Sequence, residues 1–63
     1  MTTLINFIEG LNDNDYIEIR DGKYYIFSGK VRTCKNAIDF INTYSENAVI
    51  NYSKNGAITK ITL

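Results

Sequence analysis

One stretch of the sequence predicts two β-strands joined by a tight turn: Tyr16-Ile17-Glu18-Ile19-Arg20-Asp21-Gly22-Lys23-Tyr24-Tyr25-Ile26-Phe27. Apolar and polar residues alternate over 16–20, and residues 23–27 are rich in β-forming side chains. Asp21-Gly22 suits the two central positions of a type I′ turn. Since loop length sets the register, the sequence predicts a hairpin with Arg20 opposite Lys23 and Ile17 opposite Ile26.

The predicted hairpin carries bulky side chains on both faces. One face holds Ile17, Ile19, Tyr24 and Ile26, and the other holds Tyr16, Glu18, Tyr25 and Phe27. Helices that cover only the first face would leave the aromatic rings of the second in water. Exposed aromatic residues mark interfaces, so we expect Tyr16, Glu18, Tyr25 and Phe27 to form a protein interface. The alternative is that the rest of the domain covers this face and makes its aromatic residues part of the core.

A second hairpin is predicted at the end of the sequence. Residues 49–54 and 57–63 flank Asn55-Gly56, a strong hairpin signal. A two-residue loop there places Ile50 opposite Ile61 and Tyr52 opposite Thr59.

Two helices are predicted before and between the hairpins. Apolar residues recur at helical spacing from Leu4 to Leu11 after Thr3, which predicts helix 1 over 3–11. A second stripe predicts helix 2 over 34–45, with either Thr33 or Asn36 as its N-cap. The expected fold is a single α+β domain over 1–63, in the order helix, hairpin, helix, hairpin. Its four-stranded, mostly antiparallel sheet would carry both helices on one face.

Composition excludes several classes of function. The 63 residues include one cysteine and no histidine, which leaves no internal disulfide, no Cys/His zinc site and no Ser-His or Cys-His nucleophile pair. We therefore expect no enzyme activity, no catalytic residue and no cofactor. No apolar run approaches the ~20 residues that span a bilayer, and the N-terminus does not resemble a secretory signal. A cytoplasmic protein without a membrane partner is expected.

The zero net charge combines two oppositely charged segments. Residues 1–21 carry a net charge of −4 and residues 22–35 a net charge of +4. The basic residues Lys23, Lys30, Arg32 and Lys35 approach the start of helix 2, where an anion, a partner's carboxylate or nucleic acid could bind. The pI near 6.1 disfavours nucleic acid. The other interpretation is that these charges are ordinary solvated surface.

The acidic segment predicts a rim to the interface and no metal site. Its rim residues are Asp13, Asp15 and Asp21. A calcium loop that began at Asp13 would have Glu18 at its sixth position and Tyr24 at its twelfth, where glycine and glutamate are required. We therefore expect no bound metal.

Cys34 stands at the start of predicted helix 2. Nearby Arg32 and Lys35 could lower the pKa of its thiol and make it reactive. Its place in the apolar stripe with Ala37 and Ile41 instead favours a buried, inert side chain.

The whole pattern resembles small accessory proteins of phages and prophages of Gram-positive bacteria. The resemblance lies in a helix from Leu4 to Leu11, the segment from Asn14 to Gly22, a tyrosine-rich return strand, the run from Phe27 to Val31, a helix and a final hairpin. It implies a non-enzymatic binding protein, such as an inhibitor of a host defence enzyme of the anti-CRISPR type, and it transfers no functional residue.

Three functions remain open from the sequence. The first is a protein-interaction module that binds a host protein or a second copy of itself. The second is a small nucleic-acid-binding regulator that uses the basic segment from Lys23 to Lys35. The third is a structural homodimer that scaffolds a larger assembly.

Overall fold

The computed structural model describes residues 2–63 and contains three short helices and four strands. The helices are α1 (Leu4–Glu9), α2 (Val31–Asn36) and α3 (Ile38–Tyr44). The strands are β1 (Tyr16–Asp21), β2 (Tyr24–Lys30), β3 (Asn51–Asn55) and β4 (Ile58–Thr62). The predicted α+β class is confirmed. No helix in the described part of the chain is long and apolar enough to cross a membrane.

The four strands form one mixed sheet in the order β2-β1-β4-β3. The two hairpins are antiparallel, whereas β1 and β4 pair in parallel at the centre. The sequence predicts a mostly antiparallel sheet, and the structure differs in one respect: the central pairing of β1 with β4 is parallel. Both predicted hairpins form, but only the tertiary arrangement brings the first and last strands side by side.

Both turns lie one residue later than predicted. The loops are Gly22-Lys23 and Gly56-Ala57, and the closing pairs are Asp21 with Tyr24 and Asn55 with Ile58. Gly22 has φ +63° and Gly56 has φ +67°, and no described non-glycine residue has a positive φ. A positive φ at the first central position only is typical of a type II′ turn, which prefers glycine there. The type I′ turn predicted at Asp21-Gly22 would have required Asp21 to adopt a positive φ as well.

A β-bulge then changes the register within the first hairpin. Arg20 lies opposite Tyr25, but Ile19 lies opposite Phe27, which leaves Ile26 as the extra residue. Because successive side chains point to opposite faces of a strand, this extra residue exchanges the faces of everything beyond it in β2. Phe27 consequently joins the face that carries Ile19.

The helices are shorter than predicted, and helix 2 is divided into two. Thr3 caps α1 as expected, and its Oγ1 accepts a hydrogen bond from the Asn6 N–H at 3.4 Å. The predicted helix over 34–45 begins at Val31 and is interrupted at Ala37, whose φ of −82° and ψ of 82° are not helical. Neither Thr33 nor Asn36 caps a helix, because the N-cap positions are Lys30 and Ala37.

A single hydrophobic core joins the helices to one face of the sheet. Its buried members are Leu4, Ile8, Ile17, Ile19, Val31, Cys34, Ile61 and Leu63. Both central strands and two of the helices contribute to it. Phe40, Ile41 and Tyr44 of α3 pack against it from the side as half-buried residues.

Candidate interaction surface

The face of the sheet opposite the core is the candidate site, and we call it the outer face. The strand registers assign twelve residues to it: Tyr16, Glu18, Arg20, Tyr25, Ser28, Lys30, Asn51, Ser53, Asn55, Ile58, Lys60 and Thr62. None of these twelve side chains is buried. The buried helix residues belong to the core on the other face, so the described chain leaves the outer face open.

Each exposed tyrosine of the outer face lies beside a cation. The Lys30 Nζ is 5.9 Å from the centroid of the Tyr16 ring, and the Arg20 Cζ is 5.8 Å from that of Tyr25. Both distances fall within the range of cation–π attraction. Tyr16 is 50% exposed and Tyr25 is 63% exposed. The two rings therefore combine apolar surface with adjacent positive charge.

The outer face has an excess of positive charge. Arg20, Lys30 and Lys60 supply three cations, and Glu18 supplies one carboxylate. Glu18 lies on the central strand β1, with Ser28 and Lys60 as its neighbours on the adjacent strands. A protein with no net charge thus presents a surface with a local charge of +2.

Phe27 does not belong to this surface, so the expected grouping of Tyr16, Tyr25 and Phe27 is wrong in that member. The Phe27 ring lies 5.4 Å from the Phe40 ring and packs against the core. The bulge in β2 is the physical reason, since it turns Phe27 to the helix side. Tyr16, Glu18 and Tyr25 share the outer face, but Glu18 lies opposite Ser28 and Tyr25 lies opposite Arg20, so Tyr16 and Tyr25 are at opposite ends of the face.

Sequence reasoning missed the contribution of the second hairpin to this surface. Ile58 lies beside Tyr16, and Lys60 lies beside Glu18, across the parallel pairing of β1 with β4. The alternation over residues 58–62 signals that Ile58 and Lys60 share a face. It does not reveal which strand lies next to them.

The basic segment does not form one patch. Lys23 lies in the turn after β1, Lys30 lies on the outer face, and Arg32 is exposed on α2. Lys35 donates to the Asp13 carboxylate at 3.0 Å. Lys23 thus lies at the opposite end of β2 from Lys30, and Lys35 is paired with Asp13, so the four residues do not form the single site that the sequence predicts.

Two backbone donors at the start of α2 are already occupied. The N–H of Val31 donates to the carbonyl of Asp15 at 2.9 Å, and that of Arg32 donates to the carbonyl of Asp13 at 3.1 Å. These donors would otherwise attract an anion at the helix start. The preceding turn of the chain already satisfies them.

The three acidic residues expected to form a rim lie at opposite ends of β1. Asp13 and Asp15 precede the strand, whereas Asp21 ends it opposite Tyr24. A strand of this length separates its ends by roughly 17 Å. Asp13, Asp15 and Asp21 therefore do not form one continuous rim.

Within residues 2–63, no group of three or more Cys, Asp or Glu side chains is placed to hold a metal ion.

Cys34 is fully buried in the core, as its apolar stripe predicts. Burial raises the pKa of its thiol to about 11, because the thiolate loses its hydration. The neighbouring Arg32 and Lys35 do not activate it. Cys34 acts as a small apolar core residue.

Comparisons of this chain with models of protein families, with curated proteins and with solved structures found no match.

Proposed function

We propose that this protein is a non-enzymatic interaction module whose outer face binds an acidic surface of a partner protein. The observation that carries the proposal is the arrangement of Tyr16 and Tyr25, each exposed beside a cation on an uncovered sheet. Tyrosine and arginine are enriched where partner proteins bind. Tyrosine buries a large area with few flexible bonds, and the arginine guanidinium donates several hydrogen bonds in a fixed geometry. The positive charge of the face selects carboxylates on the partner.

The same charge disfavours a homodimer formed by two outer faces. Such a pairing would bring two surfaces of charge +2 together, and like charges oppose association.

The size of the face argues against a tight complex through the sheet alone. Strands ~4.8 Å apart with a rise of ~3.3 Å per residue give a face of roughly 300 Å², whereas stable interfaces bury ~800 Å² per partner. The partner must therefore also contact the turns or helices around the sheet.

The proposal includes the biological setting that the sequence resemblance implies. In that setting the module comes from a phage and acts in the host cytoplasm, and its partner is a host protein such as a defence enzyme. Inhibition then follows from occupation of the enzyme's surface. It requires no chemistry from this chain.

An affinity-capture experiment with matched tyrosine variants tests the proposal. The wild type, a Tyr16→Ser/Tyr25→Ser double variant and a Tyr24→Ser control are immobilised and exposed to lysate of a Gram-positive bacterium. Tyr24 is 69% exposed, close to the 63% of Tyr25. It pairs with Asp21, and neither residue belongs to the outer face. We expect the wild type and the control to retain the same protein and the double variant to lose it. Equal retention by all three would contradict the proposal.

Single-stranded nucleic acid is the second candidate ligand of the outer face. Exposed rings beside Lys and Arg on an open sheet can stack on bases and contact phosphates. The relevant cations would be Arg20, Lys30 and Lys60, of which only Lys30 belongs to the basic segment from Lys23 to Lys35. Titration of a labelled oligothymidine at low and high salt separates the two candidates. Salt-sensitive binding that Tyr25→Ser removes would support nucleic acid, and absence of binding at low salt would exclude it.

A further inference from the structure

The tip of the second hairpin holds an Asn-Gly pair that is open to water. Asn55 ends β3, and Gly56 is the first residue of the two-residue loop. Both residues are exposed, and a Cβ added at Gly56 would meet nothing within 4 Å. Every other asparagine of the chain precedes a residue that carries a Cβ. Asn55 is therefore the asparagine whose following backbone nitrogen is least crowded.

This pair supplies a nucleophile and an electrophile within one dipeptide. Within residues 2–63, the Gly56 N–H forms no backbone hydrogen bond, and no hydrogen bond holds the Asn55 side-chain amide. Once hydroxide removes its proton, the Gly56 nitrogen adds to the Asn55 Cγ and closes a five-membered imide. The bond from Cγ to Nδ2 breaks, and the side-chain nitrogen takes a proton from water and leaves as ammonia. This chemistry is one reason why asparagine is a thermolabile residue.

Water then opens the imide at either of its two carbonyl groups. Addition at Cγ breaks the bond from Cγ to the Gly56 nitrogen and leaves an ordinary aspartate at position 55. Addition at the backbone carbonyl carbon leaves an isoaspartate, in which the main chain runs through Cβ and Cγ and is one atom longer. Both products carry a carboxylate in place of the amide, and the reaction consumes no oxidant or reductant.

The folded hairpin slows the first of these steps. Asn55 is extended as part of β3, and ring closure requires rotation about its Cα–C bond out of the extended conformation. That rotation disrupts the pairing of Asn55 with Ile58. However, β3 is an edge strand whose five residues are all exposed, and none of them belongs to the hydrophobic core. Segments with so few buried contacts open at a low free energy.

We propose that Asn55-Gly56 is a site of spontaneous deamidation, at a rate set by opening of the second hairpin. The reaction takes water as its co-reactant and proceeds whether or not the outer face binds a partner.

Deamidation at this position changes the outer face in two ways. Asn55 belongs to that face and lies opposite Ile58, which lies beside Tyr16. The new carboxylate lowers the local charge of the face from +2 to +1. In the isoaspartyl product, the extra backbone atom also displaces the pair that closes the turn. The aspartyl product keeps the normal backbone and changes the charge alone.

Incubation at pH 8 and 37 °C, followed by peptide mapping with mass spectrometry, tests the modification. We expect Asn55 to convert before any other asparagine, and to convert at least about tenfold faster in concentrated urea, where the hairpin is open. Asn55→Gln abolishes the reaction, because its longer side chain would have to close a six-membered ring. Asn42→Gln, at an exposed position on α3, is the matched control and leaves conversion at Asn55 unchanged. Absence of conversion in buffer, over a period in which the urea-unfolded protein converts, overturns the proposal. Equal rates in buffer and in urea overturn the role of hairpin opening.

Thermal unfolding of the products tests the effect on the hairpin. Ion-exchange chromatography separates the deamidated forms by their added negative charge, and labelling by an isoaspartyl methyltransferase identifies the isoaspartyl form. We expect that form to melt several degrees below the wild type, because the closing pair is displaced. Freshly purified Asn55→Asp supplies the same charge on a normal backbone, and we expect it to melt close to the wild type. An isoaspartyl form that melts with the wild type contradicts the predicted displacement of the closing pair.

Discussion

The Lys35 ammonium group lies 3.0 Å from the Asp13 carboxylate, and this contact joins the basic segment of the chain to the acidic one. Two backbone hydrogen bonds reinforce the junction, from Val31 to Asp15 and from Arg32 to Asp13. The turn before β1 is therefore held against the first turn of α2. The opposite charges that the sequence separates are partly neutralised in the structure.

The Lys35–Asp13 ion pair should contribute little to stability. The two side chains are 32% and 62% exposed, and exposed pairs of this kind contribute less than about 1 kcal/mol. We expect Lys35→Met and Asp13→Asn, combined in a double-mutant cycle by urea unfolding, to give a coupling free energy in that range. A coupling above about 2 kcal/mol would contradict the exposed geometry of the pair.

Phe27 and Tyr25 should respond differently to truncation, although they lie two positions apart in one strand. Phe27→Ala removes a ring that packs on Phe40 and the core, and we expect a loss of about 2 kcal/mol in the free energy of unfolding. Tyr25→Ala removes an exposed ring and should cost less than about 1 kcal/mol. Urea unfolding of both variants checks the difference. A larger loss of unfolding free energy in Tyr25→Ala than in Phe27→Ala would contradict the position of the bulge in β2.

Two glycines should respond to alanine with opposite signs. Gly56 has φ +67°, so Gly56→Ala strains the turn and should lower the free energy of unfolding by about 1 kcal/mol. Gly10 has φ −82°, and an added Cβ would lie at an ordinary 3.5 Å from the Phe7 carbonyl oxygen. Gly10→Ala should therefore stabilise the protein by about 0.5 kcal/mol, because it restricts the unfolded chain. Thermal unfolding of the pair measures both effects, and equal signs would contradict these backbone angles.

The Cys34 thiol should be inert in the folded protein. It is fully buried, and a pKa of about 11 leaves almost no thiolate at pH 8. We expect its reaction with Ellman's reagent at pH 8 to be far slower in buffer than in concentrated urea. Equal rates in the two conditions would show that the core opens readily around Cys34.

The same thiol predicts a loss of stability at alkaline pH. The folded state holds the proton up to about pH 11, whereas an unfolded thiol with the ordinary pKa of 9.0 releases it earlier. Deprotonation therefore favours the unfolded chain. The contribution of Cys34 to the free energy of unfolding is constant below about pH 9 and falls between about pH 9 and pH 11. The difference in unfolding free energy between wild type and Cys34→Ala, followed over that range, isolates this effect from lysine and tyrosine titration. A pH-independent difference would contradict the raised pKa.

Much of the secondary structure could be predicted from local patterns. The apolar spacing after Thr3 indicates α1, and the alternation around Asp21-Gly22 and Asn55-Gly56 indicates both hairpins. These signals are reliable because capping, helical periodicity and turn chemistry depend on residues close together in the chain. The burial of Cys34 could also be predicted, since its apolar stripe has few alternatives to the core.

The composition of the outer face depends on a β-bulge that local sequence patterns do not predict. The bulge at Ile26 moves Phe27 into the core, and it exists because Ile19 pairs with Phe27 while Arg20 pairs with Tyr25. The break at Ala37 likewise turns Ile38 outward, where it is 68% exposed. The bulge displaces the register of β2 by one residue. In a strand of period two, that displacement is sufficient to move a side chain to the other face.

The α+β class, the two hairpins, the first helix and the exclusion of an internal disulfide and of histidine chemistry all follow from local sequence patterns and composition. Only the tertiary structure decided that β1 and β4 lie together in parallel, which places Ile58 and Lys60 beside Tyr16 and Glu18. It also decided that Lys30 joins the outer face and that Lys35 binds Asp13. The physical reason is that local elements form from neighbouring residues. A surface, in contrast, is assembled from strands more than thirty residues apart, whose order follows from burial of one shared core.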